Sequence, residues 1–247
     1  AFLDLGTKIV SMIKRTFFFI FIALSQIGSS QGILSFVKWE ADTQGPEKFD
    51  RIIVDYTWNQ WQNSPENITQ RALSFGFSAS WFRDIPLGEK SNSAIALGLG
   101  VESMSFHHDG EFQTLDNNGT SITKLIPLSD LDDVLKNKYS VTYIDLPIEF
   151  RIRTINKTIE DRMSFNFKLY LGFRAGILVS DHTKYKNNLT KVKVYNLPNT
   201  LPYRYGPYVR IGFNKIGFVG YYSLTSIFDD NSVNLTPFSL GLTWMRF

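Results

Sequence analysis

Two adjacent histidines and an aspartate, His107-His108-Asp109, are the first residues of this chain whose chemistry stands out. Imidazole and carboxylate suit a divalent metal, but a stable site needs further ligands, and no third histidine has a suitable local spacing. His182 lies in a different segment, so only a site built across loops would use it. Solvated loop polarity is the expected role of these residues, with no metal and no other cofactor. A second chemistry pairs His182 with Ser180 or Ser223, a base with a hydroxyl nucleophile, as in hydrolases set at the rim of a barrel. Nothing in the sequence orients the histidine and no nucleophile motif surrounds either serine. No enzyme is expected. Asn67, Asn118, Asn156, Asn188 and Asn234 each begin an Asn-X-Thr tripeptide, which carries weight only in a glycosylated secreted chain.

The charges carry a stronger pattern. Asp55, Glu102, Asp145, Glu149, Arg151, Arg153, Lys168, Arg174, Arg204 and Arg210 stand at alternate positions opposite apolar residues. What positions them is β-structure, because a strand sends successive side chains to opposite faces. Met163–Ile177 shows it most fully. Met163, Phe165, Phe167, Leu169, Leu171, Phe173, Ala175 and Ile177 share one face, while Lys168 and Arg174 lie on the other. A strand of that length runs about 50 Å, far beyond the soluble norm and more than enough to cross a bilayer when tilted.

Seven more segments alternate in the same way. They centre on Ile52–Trp58, Leu73–Trp81, Ile95–Val101, Tyr139–Arg153, Tyr203–Phe213, Ile216–Leu224 and Phe238–Trp244. Pro147 falls on a polar face and removes a ladder donor, so a bulge or local irregularity is expected there. The connections differ systematically in length: Asn214-Lys215 is a tight turn, whereas 103–138 and 180–202 are long. Sorting of long connections to one end and short ones to the other is a property of outer-membrane barrels. Within the longest connection, Leu128, Leu131, Val134 and Leu135 have helical spacing behind Ser129, so a short helix is expected in 125–135. The fold class that follows is all-β, an eight-stranded antiparallel up-and-down transmembrane β-barrel. A lumen of that size is just wide enough for side chains to fill. The ten inward charges therefore read as a salt-bridge network that plugs it.

The amino-terminal segment Met12–Gln31 has Lys14 and Arg15 before an apolar run, Phe17–Leu24, and small residues at Gly28 and Ser30. This is the layout of a secretory signal peptide, with an apolar run too short to span as a helix. Residues 1–30 are thus an upstream extension plus cleaved signal, 31–50 a periplasmic leader, and 51–247 the barrel. Ala1–Ser11 precede Met12, the expected initiator. Outside residues 1–30 there are 23 basic and 22 acidic side chains. That balance leaves no surplus to neutralise phosphates, and nucleic acid is not an expected partner. The absence of cysteine excludes disulfides, a lipid anchor on cysteine and thiolate metal sites. The chain ends on Phe247, an aromatic terminus of the kind insertion machinery reads. It is out of phase with the apolar face that ends in Arg246, which implies either a bulge or Arg246 at the interface.

Tyr139–Arg153 (YSVTYIDLPIEFRIR) and Phe165–Lys186 (FNFKLYLGFRAGILVSDHTKYK), with the segment from Pro202 and the signal ending Ser29-Ser30-Gln31, resemble the PorT-like outer-membrane β-barrels of Bacteroidota. The resemblance implies the bacterial outer membrane as location, with membrane lipids and lipopolysaccharide as surroundings. For function it implies an envelope or secretion protein as partner. A non-enzymatic barrel with large loops that bind a partner or stabilise the envelope is the first expectation. An accessory role in type IX protein secretion comes second, then a small-solute pore, then a rim-located lipid hydrolase.

Overall fold

The computed structural model describes residues 50–88, 92–117, 120–128, 134–154, 157–159, 163–229 and 232–246. The expected signal peptide and nearly all of the expected leader, with Ser129, Asn118, Asn156 and Phe247, lie outside them. In chain order the strands are β1 (Ile52–Gln62), β2 (Phe75–Pro86), β3 (Ser93–His107), β4 (Gly110–Asn117), β5 (Thr120–Pro127), β6 (Lys136–Arg153) and β7 (Lys157–Ile159). They continue with β8 (Met163–Phe165), β9 (Phe167–Lys186), β10 (Lys191–Tyr195), β11 (Tyr203–Phe213), β12 (Ile216–Tyr222) and β13 (Thr236–Arg246).

Eight of these close a ring. β1, β2, β3, β6, β9, β11, β12 and β13 pair antiparallel each with the next, and β13 returns to pair with β1 over Ile52↔Arg246 to Gln62↔Thr236. Closure leaves the ring itself without an edge, the condition for strands to stand in hydrocarbon, while β10 pairs only with the far end of β9. β11 and β12 are joined by Asn214 and Lys215 alone, with Asn214 in the left-handed region at φ 52°. The other connections at that end are 87–92 and 154–166, and those at the opposite end are 63–74, 108–135, 187–202 and 223–235.

The phase read from alternation holds around the ring. Tyr56, Phe77, Trp81, Leu97, Leu99, Ile144, Leu146, Leu171, Phe173, Ile177, Phe218, Leu242 and Trp244 face outward and exposed. A contiguous apolar band of this extent does not belong in water. Arg246 stays in register at the end of that face, its guanidinium 5.9 Å from the Trp244 ring, so no bulge shifts the phase there.

Two expectations need correction. The long strand does not begin at Met163: Met163–Phe165 folds back on Lys157–Ile159 as β7–β8, and the ring strand starts at Phe167. It also runs past Ile177 to Lys186. Tyr143 pairs with Leu178 but Thr142 pairs with Ser180, so Val179 is an inserted residue. A bulge of this kind reverses the inward and outward sets beyond it and ends any simple alternation. Second, no helix covers the start of 125–135. Leu125–Pro127 close β5, paired to Phe112, Glu111 and Gly110, and the Leu135 N–H donates to the Lys186 carbonyl (3.0 Å). Of this segment Leu125 is buried in the apolar cluster of the connections, Leu135 is exposed, and 129–133 lie outside the described residues. The local irregularity expected at Pro147 is present, as a break in the ladder and not as a bulge. The β3–β6 ladder skips Gly98-Leu99 opposite Leu146-Pro147 and resumes in the same register.

The charged lumen and its loop cap as candidate functional site

Inside the ring, the strand register brings the charges together in three levels. Nearest the short connections, the Asp50 carboxylate accepts from Lys168 Nζ (2.7 Å) and Tyr170 Oη (2.5 Å), and the Asp50 carbonyl accepts from Arg151 (2.9 Å). Asp84 takes Arg151 and Arg153, each at 2.6 Å. The Arg151 guanidinium lies between the Phe82 and Tyr170 rings, 4.4 and 4.7 Å from their centroids. Its Nε reaches Glu149 at 2.5 Å and so links to the level above.

There Arg210 joins two carboxylates, Asp55 at 2.6 Å and Glu149. Ser78 donates to Asp55 (2.9 Å) and Tyr208 to Glu149 (2.7 Å). In the third level Arg204 binds Glu102 (2.5 Å) and Asp145 (2.6 Å), while Arg174 binds Glu102 and stands 3.9 Å from Asp145. Arg174 is stacked between Tyr208 and Tyr221, and Arg204 lies over Tyr143.

Two glycines make the cross-strand reach possible. Gly172 of β9 sits in register between Glu149 and Tyr208, and a Cβ there would stand 2.3 Å from the Tyr208 ring. Gly176 sits between Asp145 and Arg204, and a Cβ there would stand 2.1 Å from the Asp145 carboxylate. Each ion pair or hydrogen bond passes over the glycine that separates its partners.

All ten inward charges read from alternation lie in this network. Two further acids, outside the segments read from alternation, join them. Asp84 continues the inward phase of β2 two residues beyond Phe82, past the alternating segment that ends at Trp81. Asp50 precedes β1 and has no strand pattern to reveal it. With both included, six carboxylates (Asp50, Asp55, Asp84, Glu102, Asp145, Glu149) meet six cations (Arg151, Arg153, Lys168, Arg174, Arg204, Arg210) among the described residues. Formal neutrality with near-complete burial is what a desolvated network requires, since an unpaired ion there is costly.

Above the third level the long connections fold into an apolar cap. Trp61, Phe106, Tyr139, Ile227, Phe228 and Leu235 are its centre, and Phe112 and Val233 of the connections pack on it. Its pieces are tied by Thr123 N–H to Ser232 (2.9 Å), Thr123 Oγ1 to the Pro198 carbonyl (2.8 Å) and Val233 N–H to the Thr123 carbonyl (2.9 Å). His108 is part of this cap. Its ring lies against Trp61 and Phe112 at 5.3 and 5.4 Å, and burial holds its pKa down at about 4. Asp109 accepts from the Thr69 N–H (2.7 Å). The His182 ring lies tilted against that of Tyr195, their centroids 5.5 Å apart. Among the described residues no group of three His, Cys, Asp or Glu stands close enough to hold a metal. Ser180 pairs opposite Thr142 in the wall, and the buried Ser223 donates to the Thr225 carbonyl (2.9 Å). A cavity of about 420 Å³ lies beside the cap between β4 and the β9–β10 hairpin, lined by His108, Phe112, Tyr185, Val192, Val194 and Leu197 among others.

Residues 52–229 match the family model described as outer membrane protein beta-barrel domain. No curated protein and no solved structure matches the chain.

Proposed function

The chain belongs to the family of outer-membrane β-barrel domain proteins, and from that premise we propose that it works as a closed, non-enzymatic barrel. In this reading the lumen network is structural and the ordered loop cap is the working surface, presented outside the cell to an envelope protein or to neighbouring envelope components. The observation that carries it is the neutral set of six acids and six cations, stacked with aromatic rings from Asp50 to Arg204. A transport path would have to break buried pairs whose loss costs several kcal/mol each. The ordered cap supports the second half: connections held by their own apolar core keep one shape, as a recognition surface needs.

The test has two arms. The purified barrel in planar bilayers should show no steady conductance, and a stable open channel in the wild-type protein overturns the plugged reading. Crosslinking from native membranes should capture a defined partner through residues of the cap. The resemblance of Tyr139–Arg153 and Phe165–Lys186 to PorT-like barrels supports a narrower form, an accessory role in type IX secretion. Co-purification of secretion components is the outcome that selects it.

A further inference from the structure

Beyond the bulge at Val179, the barrel wall turns a new set of side chains outward. Register places Lys136 of β6 opposite Lys186 of β9, and Lys186 opposite Lys191 of β10. The next outward row sets Lys138 opposite Lys184, and Lys184 opposite Lys193. Six lysines therefore stand in two rows of three across three adjacent strands. The inward residues between them, Thr183, Tyr185, Val192 and Val194, line the cavity on the other face.

Like charges directly opposite on neighbouring strands repel and destabilise a sheet. The charged groups acting on Lys184 are Lys136, Lys186, Lys191 and Lys193, and those acting on Lys138 are Lys136, Lys184 and Lys193. No carboxylate of the described residues is ion-paired with any of the six. A block of charge built against its own repulsion is suited to a multivalent anion.

Position selects the source of that anion. Val179 is the last exposed apolar residue of β9, and Lys184 lies about 16 Å further along the strand at 3.3 Å per residue. With strands tilted by about 40°, this is roughly 12 Å above the edge of the apolar belt, from which a lysine side chain of about 6 Å reaches down to the headgroup layer, about 5–8 Å deep. The patch also faces outward, toward surrounding lipid, and not into the cavity. We propose that the two lysine rows are a docking site for the phosphate groups of an outer-leaflet glycolipid of the lipopolysaccharide class. The proposal needs only the outer-membrane placement and stands independently of the partner-binding reading.

The test uses the full mature barrel refolded in zwitterionic detergent, with folding checked by its heat-dependent gel shift. Probes are phosphorylated deep-rough lipopolysaccharide, the same lipid dephosphorylated, and inorganic phosphate, with binding read by native mass spectrometry and thermal stability. Wild type should bind the phosphorylated lipid and gain stability from it. Lys184→Gln, Lys186→Gln, Lys191→Gln and Lys193→Gln together should weaken that binding at least about tenfold, by the worth of basic residues at an anionic surface. The corresponding arginine variant should retain it. Without lipid the glutamine variant should be as stable as wild type or more so, because cross-strand repulsion is relieved.

Equal binding by wild type and glutamine variant, or equal binding of both lipids, overturns the proposal. Inorganic phosphate binding as tightly as the lipid replaces a lipid site with a soluble-anion site. Asp130, Asp132 and Asp133 precede Lys136 in the same connection and lie outside the described residues. If they are the natural partners, the glutamine variant loses stability in lipid-free detergent, which also overturns it.

Discussion

Arg210→Met tests the lumen most directly. The guanidinium touches Asp55 through Nε (3.2 Å) and Nη2 (2.6 Å) and Glu149 through Nη1. Methionine keeps much of the stem volume and removes the charge. Asp55 is then left with the Ser78 hydroxyl, and Glu149 with Arg151 and the Tyr208 hydroxyl. Six buried carboxylates would face five cations, and breaking a buried pair from one side costs about 3–5 kcal/mol. Asp55→Asn added to Arg210→Met removes the stranded acid, so the double variant should be more stable than Arg210→Met alone. Reversible urea unfolding in lipid vesicles, followed by tryptophan fluorescence, gives both numbers. A loss below about 1 kcal/mol is what a solvated ion pair delivers, and it would refute a desolvated lumen. A double variant no better than the single one refutes the pairing itself.

Acid should loosen the cap through His108. Its folded pKa of about 4 lies below the unfolded value of about 6.5, so the unfolded chain binds more protons between them. Stability is unaffected above pH 6.5 and falls as pH drops toward 4, by about 3 kcal/mol in all; His108→Phe should flatten that slope, measured by hydrogen exchange of the 108–128 backbone. Phe173 is exposed near the middle of the β9 apolar stretch, so Phe173→Arg should cost about 2–4 kcal/mol in the vesicle assay. Leu169, only two residues into β9, should tolerate arginine at about 0–1 kcal/mol, and equal costs at both sites would contradict the placement of the belt. Gly172→Ala drives a methyl into the Tyr208 ring and should cost about 1–3 kcal/mol, whereas a neutral result would mean that Tyr208 does not reach over to Glu149.

Which residues face inward was legible in the sequence because alternation is local: each strand carries its own period of two, whatever its neighbours are. Asp55, Glu149, Arg174 and Arg210 needed no partner to be assigned a face, and the uneven connections oriented the ring. Which cation meets which acid depends instead on register between strands, and no single strand contains that information. Gly172 is an inward glycine in the sequence, but only pairing shows that it clears a path from Tyr208 to Glu149. Asp50 enters the network from outside any strand, held by side chains far along the chain. One inserted residue, Val179, decides the rest. By reversing the period above it, the bulge sends Asp181 inward and Lys184 and Lys186 outward, and it follows from how β6 and β9 close the ring together.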